Sequence, residues 1–372
     1  MDKEGSVIYD VVVIGAGPAG TVFAREVLQK LSGLKLLIVN GQTAGSAKPC
    51  GGLLAPDAQK LLARFDLVLP KSVLEDPQIF AVQTIDVDQR LIRYYQRHYL
   101  NMDRYAFDQW LLSLVPSSAD VCEGRCEKIE RDGELFKVSL RQNGTGIVVR
   151  TRTVVGADGA GSIVRRTFFR QMRTQYVAIQ QWFENKGQCM PYYSCIFDAR
   201  TSDSCSWTIH KGGHVIFGGA FEKIGCRAAF EEQKSRLEAY LGSKFGEPVR
   251  TEACLLSSPR SGKDFCNGGD GVFLIGEAAG FISASSFEGL SYAMHSGKLL
   301  ADSFADGEVS NNILKVYKKK TKLLRMRLRI KSLKRALLCS PFIRGVILRS
   351  GLCSIKPFAC DKDDSEKPPR AR

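Results

Sequence analysis

The hydrophobic positions near the start of the chain follow a strand–helix–strand order. Residues 11–14 form a continuous apolar run, which is typical of a strand buried on both faces of a parallel sheet. Residues 21–31 have helical spacing, and residues 35–40 form a second apolar run. This order predicts a Rossmann-like α/β domain.

Similar patterns return later in the chain. Residues 153–159 and 271–275 are predicted as further buried strands, and residues 276–292 as a small-residue loop that opens a helix. Alternating strands are predicted at 122–129 and 136–140, and helices at 56–65, 101–112 and 162–166.

The central part of the chain, residues 176–254, instead alternates aromatic and polar positions, which predicts an antiparallel sheet. Its predicted strands are 179–183, 193–197, 206–209 and 214–217, and a helix is predicted at 228–241. We therefore predict an α/β (α+β mixed) protein in which a Rossmann-like domain carries an inserted antiparallel-sheet substrate domain and a C-terminal helical segment. The predicted domain limits are 1–75, 100–170 and 258–305 for the first domain, 76–99 and 171–257 for the second, 306–360 for the basic helical segment and 361–372 for a disordered tail.

The formal net charge of +14 comes from one segment. Residues 311–360 contain fourteen lysines and arginines and no aspartate or glutamate. Residues 313–338 have the spacing of one amphipathic helix with a cationic face, which Pro341 and Gly345 are predicted to break before a second apolar, basic stretch. Two interpretations are a helix packed on the first domain with a solvated basic face, and attachment of residues 313–350 to an anionic membrane. Nucleic acid is not expected, because Tyr317 is the only aromatic among the basic residues of this helix.

The cysteines indicate a reducing compartment. Twelve cysteines are scattered along 372 residues, and the N-terminal sequence MDKEG has no signal-peptide pattern. We expect a cytoplasmic protein, with peripheral attachment at the inner face of the membrane as an alternative. The pairs Cys122 with Cys126 and Cys189 with Cys195 lack CxxC spacing and a nearby histidine, so no metal is expected.

The turn after the first strand carries the pattern of a dinucleotide site. Residues 15–20 read GAGPAG, in which Gly15 makes the tight turn, Gly17 admits a pyrophosphate and Gly20 lets the helix pack on the strand. The helix N-terminus then offers unpaired N–H groups to phosphates. Asn40 ends the second strand in place of the usual acid and can still bond a ribose hydroxyl. This departure slightly disfavours NAD and leaves FAD plausible.

Three separated motifs add a family resemblance. GAGPAG (15–20), GADG (156–159) and GDGVFLIGEAAGFISASSFEG (269–289) stand in the order found in flavoproteins of the p-hydroxybenzoate hydroxylase fold. With KPCGG at 48–52 and Arg104 in MDRYAFD, the chain most resembles the geranylgeranyl-reductase-like flavoproteins, particularly their CbrA-like bacterial branch. The resemblance implies one FAD in a discontinuous domain. The cofactor-binding residues that it and the glycine turn imply are Gly15, Gly17, Pro18, Ala19, Gly20, Asn40, Cys50, Gly51, Gly52, Arg104, Cys126, Asp158, Gly159, Glu277, Gly289 and Leu290.

The chain departs from the family pattern at several positions. Glu277 replaces the usual aspartate after Gly276, Phe287 replaces a glycine beside the flavin ring, and Ala284 replaces a proline. In the substrate-domain motif of the reductases only Trp207 and Lys211 are retained. The implied FAD site is therefore better supported than the implied isoprenoid substrate.

The resemblance implies an FAD-dependent oxidoreductase that reduces carbon–carbon double bonds of a hydrophobic small-molecule or lipid substrate, such as an isoprenoid. Reduced flavin gives hydride to one alkene carbon, and Cys50 is the candidate acid for the other. Glu288 is a second candidate proton source, although a solvated loop carboxylate is the simpler expectation. The electron donor would be NAD(P)H or a reduced electron-transfer protein, since no second G-x-G-x-x-G is present.

Two other functions stay open. One is an FAD-dependent monooxygenase acting on an aromatic or polyketide-like molecule, and the other is a flavin-binding sensor without catalysis. The candidate substrate contacts are Trp207, His210, Lys211 and Phe287. Their simpler interpretation is a core position for Trp207 and hairpin-turn positions for His210 and His214.

Overall fold

The first predicted strand lies inside a parallel sheet, in a computed structural model that describes residues 7–42, 48–172, 174–187, 190–307 and 312–357. The strands are β1 (Ile8–Ile14), β2 (Leu36–Asn40), β3 (Leu53–Leu54), β4 (Ile79–Asp86), β5 (Leu91–Asn101), β6 (Asp120–Glu123), β7 (Arg125–Asp132), β8 (Leu135–Gln142), β9 (Thr145–Gly156), β10 (Gln175–Glu184), β11 (Tyr192–Phe197), β12 (Cys205–Lys211), β13 (His214–Glu222), β14 (Arg250–Ser257), β15 (Gly268–Gly269) and β16 (Val272–Leu274). The helices are α1 (Pro18–Lys30), α2 (Pro56–Arg64), α3 (Arg104–Ser113), α4 (Ile163–Phe168), α5 (Cys226–Leu241), α6 (Leu290–Gly307), α7 (Ile313–Lys320), α8 (Lys322–Cys339) and α9 (Pro341–Ser350).

The described residues divide into two units. The first falls within Met1–Leu74, Met102–Ala178 and Ala253–Ala336, and the second within Glu75–Asn101, Ile179–Glu252 and Leu337–Arg372. The predicted disordered tail at 361–372 lies outside the described residues.

The first unit is built on a sheet with the strand order β15-β16-β9-β1-β2-β6, to which β8 and β7 add through β9. The neighbours from β16 to β6 along this order run parallel. Val12, Ile38 and Val154 are fully buried at its centre, which explains the continuous apolar runs in the sequence. Helix α1 lies directly on α6, because Gly297 has no side chain to hold the helix away from Ala19 O.

The second unit holds an antiparallel-rich sheet with the order β10-β13-β12-β11-β4-β5, in which β11 and β4 are parallel. Helix α5 packs its buried Phe230 against Phe217 of β13, with ring centroids 5.1 Å apart. The predicted mixed α/β class with a C-terminal helical segment is confirmed. Strands β4 and β5 were not predicted individually.

The C-terminal helices differ from the prediction of one helix over residues 313–338. The helix is interrupted at Thr321, whose hydroxyl donates to Tyr317 O at 2.8 Å and accepts from Asn267 Nδ2 at 3.0 Å. Helix α8 ends at Cys339 and Pro341 opens α9 after the extended Ser340, so the predicted break at Pro341 is confirmed. Gly345 does not break a helix but lies within α9. A side-chain carbon at Gly345 would meet the flexible end of the Gln89 side chain. Among the described residues, no helix has the length and apolarity needed to cross a bilayer.

Candidate functional site

In the turn between β1 and α1, backbone atoms pack closely against Gly15 and Gly20, whereas the space beside Gly17 is empty. Gly15 has φ +110°, and a side-chain carbon there would lie 2.6 Å from Ala157 O. A side-chain carbon on Gly20 would collide with Gly15 O, whereas one on Gly17 would meet nothing within 4 Å. Pro18 occupies the first turn of α1, which no side chain in the described part of the protein caps. Phosphates can therefore approach the backbone at Gly17.

Two further turns lie at the same edge of the sheet, after β9 and β16. A side-chain carbon on Gly15 would be 3.1 Å from Asp158 Cα, and one on Gly159 would be 3.9 Å from Glu277 Oε2. Gly276, with φ +59°, faces the Cβ of Ala19. A cavity of about 140 Å³ lies beside the last two turns and is lined by residues that include Ser162 and Arg165. The three motifs thus converge at the carboxyl ends of parallel strands, where ligands bind in such sheets.

Glu277 connects the third turn to the KPCGG loop. Its Oε1 accepts from Ser257 N at 2.7 Å, and its Oε2 accepts from Lys48 Nζ at 2.5 Å. Burial lowers the pKa of Lys48, but the Glu277 carboxylate and other neighbours raise it, and the net shift is upward. Lys48 is therefore a cation at neutral pH beside the glycine turns.

Arg104 is held in place from its own helix. Asp108, one turn further along α3, accepts from Arg104 Nε at 2.9 Å and from Gln42 Nε2 at 3.1 Å. Burial lowers the pKa of Arg104, while the Asp108 carboxylate and then the Cys50 thiol raise it, and the pKa is raised overall. Cys50 thus lies near Arg104, and its sulfur accepts from Gly52 N at 3.4 Å. The structure therefore brings Cys50, Gly52 and Arg104 together.

Asn40 ends β2 next to an acidic residue on the neighbouring strand. Asn40 Nδ2 donates to both carboxylate oxygens of Glu123, at 3.0 and 3.2 Å, and the two residues are direct register partners. Glu123 is exposed, whereas Asn40 is buried. A carboxylate is thus present at the edge where the sequence pattern lacked one.

Asp158 caps helix α4 and leaves one oxygen without a partner. Its Oδ2 accepts from Ile163 N at 2.6 Å, while Oδ1 is buried with no hydrogen-bond partner among the described residues. Burial raises the pKa of Asp158, against the lowering effect of the Ser162 hydroxyl and nearby backbone amides. Burial, and next the Asp158 charge, raise the pKa of Cys126 to about 12, so this thiol stays protonated at neutral pH.

At Phe287, the loop before α6 has the left-handed backbone conformation that is typical of glycine. Phe287 has φ +51°, and its ring packs edge-on against Tyr176 with centroids 5.5 Å apart. The expectation of a solvated Glu288 is wrong. Its Oε1 accepts from Ser291 N at 3.0 Å and from the Ser291 hydroxyl at 2.7 Å, and burial raises the pKa of Glu288. Glu288 thereby caps the first turn of α6, next to Gly289 and the buried Leu290.

The remaining substrate candidates lie in the second unit. Trp207 on β12 packs over Gly218 of β13, where a side-chain carbon would lie 2.5 Å from its indole nitrogen. Lys211 and His214 are register partners at the end of the β12–β13 hairpin. Burial lowers the pKa of His210, whose backbone carbonyl accepts from Asn101 Nδ2 at 2.9 Å.

Sequence reasoning did not single out four residues that line this edge of the first unit: Lys48, Asp108, Glu123 and Cys254. Cys254 lies on β14 with its thiol 3.6 Å from Pro49 O. Asp108, four residues after Arg104, had a readable signal in its helical spacing. The other three depend on strand pairing and loop position, which spacing does not reveal.

Solved structures with a similar fold show the class of protein to which this chain is similar. A geranylgeranyl bacteriochlorophyll reductase-like protein from Thermoplasma acidophilum has a TM-score of 0.74 and 20% identity, covering 90% of this chain and 89% of that one. The p-nitrophenol 4-monooxygenase PnpA from Pseudomonas putida DLL-E4 has a TM-score of 0.67 and 14% identity, covering 92% and 93%. The fold is therefore the one shared by FAD-binding reductases and monooxygenases.

Sequence comparison narrows the class further. A family model described as lycopene cyclase protein matches residues 10–185. Protein CbrA from Escherichia coli O6:H1 (strain CFT073) is 44% identical over 351 residues, covering 93% of this chain and 94% of that relative. Protein CbrA from Shigella flexneri serotype 5b matches with the same identity and coverage. The chain belongs to the CbrA family, as the sequence motifs predicted.

Proposed function

We propose that this protein is an FAD-dependent oxidoreductase that reduces carbon–carbon double bonds of a hydrophobic substrate, with isoprenoids as the first class to test. The convergence of the three glycine turns at one sheet edge is the observation that carries the FAD site. An open Gly17, an α1 N-terminus without a side-chain cap and the unpartnered Asp158 Oδ1 all suit a bound dinucleotide.

Each part of the site has a proposed binding role. The backbone at Gly17 receives the pyrophosphate, and the Asn40–Glu123 pair receives ribose hydroxyls. Glu277, already bonded to Lys48 and Ser257, holds the chain of hydroxyls next to the flavin ring. The cavity of about 140 Å³ accepts only part of such a ligand, so the rest lies along the open edge over Gly17.

Cys50 is the proposed proton donor. The bound flavin, once reduced, supplies the hydride. The Cys50 thiol delivers a proton to the second alkene carbon, and Arg104 beside it stabilises the thiolate that forms. Asp108 fixes the Arg104 guanidinium and so sets the position of this pair.

The test is anaerobic reoxidation of the reduced protein by geranylgeranyl diphosphate, with the product followed by mass spectrometry. We expect the flavin absorbance to return to the oxidised form and the product to gain two hydrogens. Cys50→Ala should keep bound flavin and lower the rate by roughly 100-fold or more. Cys226→Ala, which removes a thiol from the second unit, is the matched control and should leave the rate unchanged.

Two results would favour the other candidate functions. Product that forms only with oxygen, with consumption of NAD(P)H, would establish a monooxygenase, as the fold shared with PnpA allows. If the purified protein is yellow but NADH, NADPH and dithionite all fail to reduce its flavin, the flavin-binding sensor is the function that remains. Unchanged turnover of Cys50→Ala would rule out the proposed acid.

A further inference from the structure

Helix α8 has two apolar faces, and the first unit covers one of them. Leu324 and Leu328 are 3% and 0% exposed and belong to the core beneath the parallel sheet. On the same side, Ser332 Oγ donates to Pro259 O at 3.1 Å and Arg335 Nη2 donates to the Tyr176 hydroxyl at 3.0 Å. This face fixes the rotation of the helix on the unit.

The other apolar face points into solvent. Its five members are between 51% and 70% exposed and are Leu323, Met326, Ile330, Leu333 and Leu337. With 3.6 residues per turn, their directions fall within roughly 80° of one another on the helix surface. We call these five residues the outer stripe. Scattered exposed leucines are ordinary, but a continuous stripe over nearly the whole helix indicates a binding surface.

Cations border the outer stripe on both sides. The exposed residues Arg327 and Lys334 flank one side, and Lys322 and Arg329 flank the other. Residues 311–360 contain no aspartate or glutamate to neutralise them. An apolar stripe between rows of lysine and arginine is the pattern of a helix in a membrane interface, where long basic side chains reach the headgroups.

We propose that the outer stripe of α8 docks this protein on a bilayer surface that contains anionic lipids. Leu323, Ile330 and their neighbours enter the acyl boundary, while the bordering cations contact lipid phosphates. A second copy of the chain is a poorer occupant, because it would set cations against cations. Nucleic acid is also poorer, because it would bind the cations and leave the stripe in water.

The experiment is co-sedimentation of the full chain with phosphatidylcholine vesicles, with and without one-third phosphatidylglycerol, at low and high salt. We expect binding to the anionic vesicles to exceed binding to the neutral ones roughly tenfold and to weaken with salt. Ile330→Gln with Leu333→Gln should lower binding to anionic vesicles by roughly 100-fold. Arg327→Gln with Lys334→Gln should weaken binding to anionic vesicles and leave the neutral ones unaffected.

Ile224→Gln is the matched control, because Ile224 is 95% exposed and lies outside the basic segment. It should bind like the unchanged protein, and circular dichroism should show all variants folded. Absence of vesicle binding at either salt concentration overturns the proposal. So does a lipid-free dimer, seen by light scattering, that Ile330→Gln with Leu333→Gln dissociates. Tight binding of duplex DNA that survives the stripe variant, without vesicle binding, would assign the cations to nucleic acid instead.

Discussion

The two units hold their key segments in place by different means. In the first unit, the glycine turns approach so closely that added side-chain carbons at Gly15 and Gly20 would meet backbone atoms. In the second unit, Arg344 of α9 donates to Asp86 of β4 at 2.7 Å, and both side chains are almost fully buried. Arg236 of α5 likewise donates to Asp198 at 2.6 Å.

This difference shows what each unit can tolerate. A turn set by backbone contact admits a ligand without rearranging side chains, which suits a cofactor site. A buried ion pair fixes one arrangement of neighbouring segments but makes each partner costly to lose. We therefore expect the loss of a buried ion pair in the second unit to lower stability without changing cofactor binding, and substitutions in the glycine turn of the first unit to weaken cofactor binding.

The largest effect on stability is expected for Arg344→Met. The substitution leaves the Asp86 carboxylate buried without its counter-ion, which costs about 3–5 kcal/mol. Urea unfolding measures the loss, and the FAD content of the folded protein should not change. Arg349→Met, an exposed position on the same helix, should cost under about 0.5 kcal/mol. Equal losses at positions 344 and 349 would show that the buried pair does not fix the second unit.

The next effect is expected at the turn of the first unit. Gly20→Ala sets a side-chain carbon against Gly15 O, so we expect a loss of about 3 kcal/mol together with loss of bound FAD. Gly17→Ala meets open space and should keep full stability while weakening FAD binding. Flavin absorbance and thermal unfolding of the apo-protein separate the two results. If Gly17→Ala bound FAD normally, the pyrophosphate would have to lie elsewhere.

The same contrast explains how far the sequence could be interpreted. The glycine turns were predictable because Gly15 and Gly20 are required by local backbone geometry, and Arg104 was found through a family resemblance. The ion pair between Lys48 and Glu277 was not predicted, because loop residues reach a distant turn only through the tertiary fold. Glu288 was misjudged as solvated because a helix cap and an exposed loop residue have the same local sequence.

Side-chain positions in the second unit were harder to predict from the sequence for the same reason. Its alternation of aromatic and polar residues predicted strands correctly. The surroundings of Trp207 and His210, however, depend on which strands are neighbours and on the face of the sheet on which each residue lies. The helix over residues 313–338 was predicted in extent, but its interruption at Thr321 was not. The Thr321 hydroxyl bonds both Tyr317 O and Asn267, and Asn267 is distant in sequence.

The smallest expected effect on stability comes from the ionisation of the Cys254 thiol in the first unit. Burial raises the pKa of this thiol from 9.0 to about 11, partly opposed by Lys48. Because the folded pKa lies above the unfolded one, the stabilisation is complete below pH 9 and is lost as the pH rises through 11. A pKa difference of about two units corresponds to roughly 2.7 kcal/mol of stability. Urea unfolding at pH 7, 9 and 11 should therefore show a steeper alkaline loss for the unchanged protein than for Cys254→Ser. Cys353→Ser, at an exposed position, should match the unchanged protein. Parallel losses for all three proteins would mean that Cys254 ionises as freely in the folded chain as in the unfolded one, and that backbone contact alone governs this site.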